Sequence, residues 1–212
     1  MTAMTEPHLI HVVDDDASLR RALAFLLGSA GWNVATHESA EAFLAAWQPP
    51  APPGCLILDI RMPLMSGLEL QRLLKSRDIH LPVIFLTGHG DISMAVQAMK
   101  FGACDFIEKP FKDQVLLDAV GRALRRDMAL RGEKRDREAI RERLARLSPR
   151  ELQVARLVAE GLPSKTISTQ LDISERTVQV HRLHLMAKLE VHSVAELAKL
   201  VLLGDGQASG DA

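Results

Sequence analysis

The feature that most constrains this chain is what stands at the ends of its short apolar runs. Leu9 to Val13 runs into Asp14-Asp15-Asp16, and Cys55 to Leu58 into Asp59. Val83 to Leu86 ends at Thr87, and Cys104 to Ile107 is followed closely by Lys109. A further strand-like segment covers Asn33 to Thr36. Helical spacing fills the intervals: Ser18 to Ala30, Ala40 to Trp47, Gly67 to Lys75, Ile92 to Phe101 and Asp113 to Arg126. Gly31 and Gly102 serve as helix stops. Strands that alternate with helices, with no room for hairpins, predict a parallel sheet covered by helices on both faces. In such sheets functional groups gather at the carboxyl ends of the strands. That rule puts Asp14, Asp15, Asp59, Thr87 and Lys109 in one pocket.

Adjacent carboxylates with a third from another strand suit a hard divalent cation such as Mg²⁺, which takes oxygen ligands. A carboxylate beside such an ion can attack a phosphoryl group, because the metal offsets charge on both partners. An ammonium can then hold the new phosphoryl oxygens, and a hydroxyl can donate to one of them. Asp59, Lys109 and Thr87 match those three roles. Alone, Asp59 would read as an ordinary turn or cap residue. The ordered set of strand ends is what makes the pocket a site. Asp105 reads as a local structural carboxylate and Phe106, alone, as core.

The remainder is organised differently. Residues 1–120 hold 9 Lys/Arg against 14 Asp/Glu, residues 121–147 hold 10 against 5, and residues 148–212 hold 7 against 8. A basic connector therefore separates an acidic first part from a near-neutral last part. Leu124, Met128, Leu130, Ile140, Leu144 and Leu147 give it a thin apolar stripe. It reads as a helical, partly exposed linker, either a coiled-coil seam between subunits or a solvated connector. Ser148-Pro149, with Glu151 in the first turn, opens a second domain. Helices are expected at 149–159, 164–170, 175–189 and 193–202, with Asp172-Ile173-Ser174 as a tight turn. Ile167, Leu171, Ile173, Val178, Leu185 and Leu189 are its expected core. A short helix, a tight turn and a longer helix carrying Arg176, Gln179, His181, Arg182, His184 and Lys188 form a helix-turn-helix, whose polar groups suit phosphates and base edges. Residues 204–212, rich in Gly, Ser and Asp, are expected to be a disordered tail.

With 47% hydrophobic and 25% charged residues, the chain is expected to fold rather than remain disordered. No apolar run approaches the roughly 20 residues of a membrane span. Met1 to Pro7 lacks the pattern of a signal peptide. Cys55 and Cys104 read as buried reduced thiols. These features predict the cytoplasm.

The motifs Val12-Val13-Asp14-Asp15-Asp16, Leu58-Asp59-Ile60-Arg61-Met62-Pro63, Leu86-Thr87-Gly88-His89-Gly90 and Gly102 through Phe111 make residues 8–127 resemble a receiver domain of the flavodoxin-like fold. The resemblance implies that Asp59 is the phosphoacceptor. It implies Mg²⁺ held by Asp15, Asp59 and the carbonyl of Arg61, with Asp14 acting through water. It further implies Lys109 on the phosphoryl group, Thr87 and Phe106 as a switch pair, and a cis Lys109–Pro110 bond. His89 and Arg61 are candidates for tuning the lifetime of the phosphoryl group.

After a linker at 128–146, residues 147–203 resemble the LuxR/NarL-type DNA-binding domain, an all-α unit of four helices. The carrying residues are Leu147 to Glu151, Gly161, Ile173 to Arg182 and Met186 to Leu189. The whole chain looks like the FixJ-like branch of bacterial two-component response regulators. That resemblance makes 175–189 the recognition helix. It implies that Gln179, Val180 and Leu183 face the groove, that Lys165, Thr177, His181, Arg182 and Lys188 contact DNA, and that Val194, Leu197 and Val201 form a dimer contact. The implied partners are a sensor histidine kinase, double-stranded promoter DNA, RNA polymerase and a second copy of the chain. The implied role is regulation of transcription, expected to be activation, rather than an enzyme's. Departures from the pattern are Ser164-Lys165-Thr166-Ile167-Ser168 and Gln179, each lacking a polar or charged group that the pattern supplies.

Two alternatives stand beside this reading. Asp14-x-Asp16-x-Ser18 after a strand resembles the Mg²⁺-dependent phosphohydrolases of the haloacid dehalogenase type. That reading needs a second acidic pair late in the domain, for which only Asp105 and Glu108 are available. The near-neutral charge of 148–212 would also suit a helical output that binds protein rather than DNA.

Overall fold

The computed structural model describes residues 8–88 and 92–205, which form five strands and nine helices and divide into two compact units, 1–130 and 131–212. The first unit holds β1 (Leu9–Val13), α1 (Ala17–Ser29), β2 (Asn33–His37), α2 (Ala40–Ala46), β3 (Gly54–Asp59), α3 (Gly67–Ser76), β4 (Val83–Thr87), α4 (Ile92–Lys100) and β5 (Asp105–Glu108). The sheet is parallel throughout, in the order β2-β1-β3-β4-β5. Every residue of β3 and β4 is buried, as expected of parallel strands covered on both faces.

The period-two alternation of a strand divides its side chains between two cores. Val13, Leu56, Leu58, Val83 and Phe85 join Phe43, Leu70 and Leu74 on the α2–α3 face. Ile10, Val12, Cys55, Ile57, Ile84 and Leu86 join Leu23, Leu27, Leu116 and Val120 on the other, against α1 and α5. α5 (Asp113–Ala145) runs on through the segment expected to be a linker, well past the expected end of the last receiver helix at Arg126. Buried Asp127 ties it to the sheet by accepting from the Gly54 amide at 2.9 Å.

The second unit packs α6 (Pro149–Ala159), α7 (Ser164–Leu171), α8 (Glu175–Lys188) and α9 (Val194–Asp205) around Val154, Val158, Ile167, Val178, Leu185, Leu189 and Leu197. Leu171 and Ile173, expected in the core, are half-buried at its edge. Ser148 and Glu151 close a capping box at the start of α6, with Pro149 in its first turn. Such a cap contributes about 1 kcal/mol. Asp172 takes φ 51° and turns the chain sharply between α7 and α8, and the Ser174 hydroxyl caps α8. α9 continues through Gly204 and Asp205, so the expected tail begins helical; residues 206–212 lie outside the described residues. Cys55 is buried and Cys104 half-buried, both as free thiols.

Candidate functional site

β1 and β3 are neighbours, and the chain leaves them toward opposite faces of the sheet, through α1 and α3. This is the switch point of an open α/β sheet, where a crevice forms at the strand ends. Asp14 follows β1 and Asp59 ends β3, so the topology alone delivers both carboxylates there, and both are buried. Lys109, just past β5, joins them. Its Nζ donates to Asp14 Oδ2 at 2.8 Å and to Asp59 Oδ1 at 2.5 Å. The second oxygen of each carboxylate is also used: Asp59 Oδ2 accepts from the Arg61 amide at 2.7 Å, and Asp14 Oδ1 from the Asp16 amide at 2.8 Å. The Lys109 amide donates to the Thr87 carbonyl at 2.7 Å, which fixes where that lysine leaves the sheet. The Lys109–Pro110 bond is cis, as expected.

Two buried carboxylates share one ammonium, and the electrostatics follow. Burial holds the Asp59 carboxyl above its ordinary range, and the Asp14 charge adds to that, while Lys109 and the Arg61 amide work against it. Burial pulls the Lys109 ammonium down, but its hydrogen bonds to Asp14 and Asp59 outweigh this and raise it. The donors are oxygens with a net negative charge, the chemistry that suits a hard cation. Asp15 is exposed, and among the described residues no three carboxylate, imidazole or thiol groups converge as a ready-made metal cluster.

Thr87 is buried, and its hydroxyl donates to the Gly88 carbonyl at 3.1 Å. Phe106 is half-buried against the α2–α3 core. Arg61 is exposed at the rim, and His89 lies outside the described residues. Two contributors went unread in the sequence. Asp16 is the N-cap of α1, accepting from the Ser18 and Leu19 amides, so it is committed to the helix rather than to a ligand. Gly67 begins α3 beneath the site, where a Cβ would come within 2.3 Å of the Asp59 carbonyl. Asp105 is paired with Arg122 at 2.5 Å and Glu108 is exposed, so among the described residues no late acidic pair of the phosphohydrolase kind forms.

In the second unit, α8 buries Val178 and Leu185 and exposes Gln179, Val180 and Leu183, the last 70% exposed. Glu175, Arg176, Gln179, Val180 and Leu183 line an open depression. Lys165 is exposed on α7, and Thr177, His181 and Arg182 are half-buried. Thr177 is engaged at the cap, its hydroxyl 2.7 Å from that of Ser174. Lys188 departs from expectation. Its Nζ donates to Oε2 of buried Glu151 at 2.7 Å, so this exposed lysine is already paired within its own domain. The expected dimer residues separate as well. Leu197 is 0% and Val201 6% exposed because α9 turns them into its own domain's core, while Val194, Leu202 and Leu203 are exposed.

Comparison with known proteins agrees with this division. Residues 10–121 match the response regulator receiver domain, and residues 145–201 match the luxR family of bacterial regulatory proteins. The transcriptional regulatory protein FixJ of Rhizobium meliloti is 49% identical over 197 residues, 93% of this chain and 96% of that protein. The solved structure of the response regulator StyR superposes with a TM-score of 0.82 at 44% identity, covering 92% of this chain and 98% of that one. Full-length FixJ from B. japonicum gives a TM-score of 0.58 at 41% identity, covering 96% and 99%.

Proposed function

This chain belongs to the two-component response regulators that join a receiver domain to a LuxR-type DNA-binding domain and regulate transcription in response to phosphorylation, and from that premise we propose that Asp59 is its phosphoacceptor. The observation that carries this reading is the Lys109 ammonium between two buried carboxylates at the ends of neighbouring strands. An Asp59 oxygen attacks phosphorus as the bond to the donor group breaks, and the donor leaves with the electron pair. Lys109 then exchanges its contact with Asp59 for one with a phosphoryl oxygen.

Receiver domains bind Mg²⁺ at the phosphorylation site. Here Asp15, Asp59 and the Arg61 carbonyl would hold it, with Asp14 acting through water. When bound, the ion offsets the charge of the carboxylates and the incoming phosphoryl group. Thr87 turns its hydroxyl to a phosphoryl oxygen, and Phe106 takes up the space left behind. That shift biases the face built from α4, β5 and α5 toward dimerisation.

Family membership implies a sensor kinase partner and DNA binding. We assign the donor as a sensor histidine kinase and the output as activation through RNA polymerase, by a homodimer on promoter DNA in the bacterial cytoplasm. Among the described residues no helix is long and apolar enough to cross a membrane. Gln179, Val180 and Leu183 face the groove, with Lys165, Thr177, His181 and Arg182 beside them. The test incubates the protein with Mg²⁺ and acetyl phosphate and follows mass and oligomeric state. Wild type should gain one phosphoryl group and shift to dimer, and Asp59→Asn should do neither. Steady phosphate release without an adduct in both proteins would overturn the reading.

A further inference from the structure

The last turns of α5, expected to be linker, supply side chains to the DNA-binding unit. Leu144 is buried in that unit's core and Ile140 packs against the same cluster. Gly204 on α9 shows how closely the helices meet: a Cβ there would come within 2.3 Å of Leu144 Cδ1 and 3.5 Å of Ile140 Cγ2. Arg143, on the neighbouring turn face, reaches a different target. Its guanidinium Nη2 donates to the carbonyl of Leu189, the C-cap residue of α8. A cation at that point satisfies one of the helix's orphan carbonyls and meets the negative end of its dipole. Lys188, one residue earlier, holds the same end of α8 to Glu151 of α6. The C-terminus of α8 is thus pinned from two sides, by α5 through Arg143 and by α6 through Glu151.

The exposed residues Gln179, Val180 and Leu183 lie roughly one and a half to three turns before that pin. A helix is stiff over such a distance, so the pin sets the angle at which those side chains are presented. We propose that Arg143 is a positioning residue for α8, and that the DNA-binding unit functionally begins within α5 rather than at Leu147. The proposal rests on reading α8 as the helix that enters the groove. It also implies that a displacement of the last turns of α5 reaches α8 through the bond from Arg143 to the Leu189 carbonyl and the packing of Ile140 and Leu144 in the shared core. Arg143 is half-buried, so its replacement leaves the domain core intact.

The test uses the full chain, phosphorylated with acetyl phosphate, and a random pool of duplexes about 30 base pairs long, roughly three turns of DNA. Wild type first enriches a preferred duplex. Binding to that duplex and to a shuffled one is then measured across a salt series for wild type, Arg143→Ala and Arg143→Lys. A positioning role predicts that Arg143→Ala loses about tenfold on the preferred duplex and under about twofold on the shuffled one, because only base readout depends on helix angle. The salt slope stays unchanged, and Arg143→Lys, which keeps a charge at the helix end, recovers part of the loss. Equal loss on both duplexes, with the slope falling by about 0.9, would make Arg143 a phosphate contact and overturn the proposal. Unchanged discrimination in Arg143→Ala would overturn it too, even with a lowered melting temperature. If wild type enriches no duplex, the DNA reading itself fails and takes the proposal with it. That failure is distinct from the others, in which wild type discriminates.

Discussion

Each unit of this protein buries a carboxylate against a lysine, and the two pairs are built to opposite ends. In the receiver, Asp14 and Asp59 share the one ammonium of Lys109, and burial holds Asp59 above its ordinary range. In the DNA-binding unit, Glu151 has Lys188 at 2.7 Å and the Ser148 amide at 2.8 Å on the same oxygen. With no second carboxylate in that contact set, the Lys188 hydrogen bond and then the Ser148 amide hold Glu151 down to about 2. The first site is short of positive charge and gains from any cation or charge-neutralising group that arrives. The second is fully supplied and gains nothing. A perturbed carboxylate in a crevice is a functional candidate, whereas a satisfied one is a joint.

Removing each carboxylate in turn should have opposite effects on the two units. Asp59→Asn should abolish labelling by acetyl phosphate, read by intact mass. It should also stabilise the receiver at neutral pH, on the order of 1 kcal/mol, because a buried charge and its repulsion with Asp14 disappear. Labelling that persists would move the phosphoacceptor elsewhere, and loss of stability would mean that the Lys109–Asp59 bond outweighs the burial cost. Glu151→Ala should act in the opposite direction, costing the DNA-binding unit about 2 kcal/mol, since it removes the capping box and strands Lys188. Lys188 is partly exposed, which keeps the figure below that of a fully buried pair. Trp32 and Trp47, the only tryptophans, both lie in the receiver. Fluorescence therefore follows that unit alone, and far-ultraviolet circular dichroism follows both. A urea midpoint shift in fluorescence for Glu151→Ala would break the separation of the two sites.

The receiver pocket was legible because its positions obey a rule of topology. Any residue just past the end of a parallel strand arrives at the same edge of the sheet, so Asp14, Asp59, Thr87 and Lys109 could be grouped without knowing the strand order. Asp16 escaped because three consecutive aspartates look alike, and only the turn decides which becomes the N-cap. The helical unit offered no comparable rule. A lysine at the end of α8 has the same appearance whether it meets a phosphate or a glutamate 37 residues away. The apolar stripe of Ile140, Leu144 and Leu147 suits a coiled-coil seam as well as the edge of a neighbouring core. α9 carries Val194, Leu197, Leu200, Val201, Leu202 and Leu203 around most of its circumference, so its pattern could not say which residues turn inward. Packing decided, and it chose Leu197, Leu200 and Val201.

The smallest effect is the most direct measure of the contrast. Glu151 titrates near 2 in the folded protein and near 4.5 in an unfolded chain, so its contribution is whole above about 4.5 and is lost as pH falls toward 2. Asp59 has the opposite sign. Its folded value lies above the ordinary 3.8, so ionisation subtracts from stability at neutral pH, and the penalty fades as pH falls through the folded value. Glu151→Gln should therefore be less stable than wild type at neutral pH, and Asp59→Asn more stable, with both differences shrinking toward zero in acid. Other groups drive acid unfolding of the receiver, notably His11, which burial, aided by the His37 charge, holds at about 4, but wild type and Asp59→Asn share them and they cancel. Urea titrations at stepped pH, by fluorescence for the receiver and by circular dichroism for the helical unit, would measure both curves. A gap of one sign for both variants at neutral pH would show that the two lysine pairs do the same job.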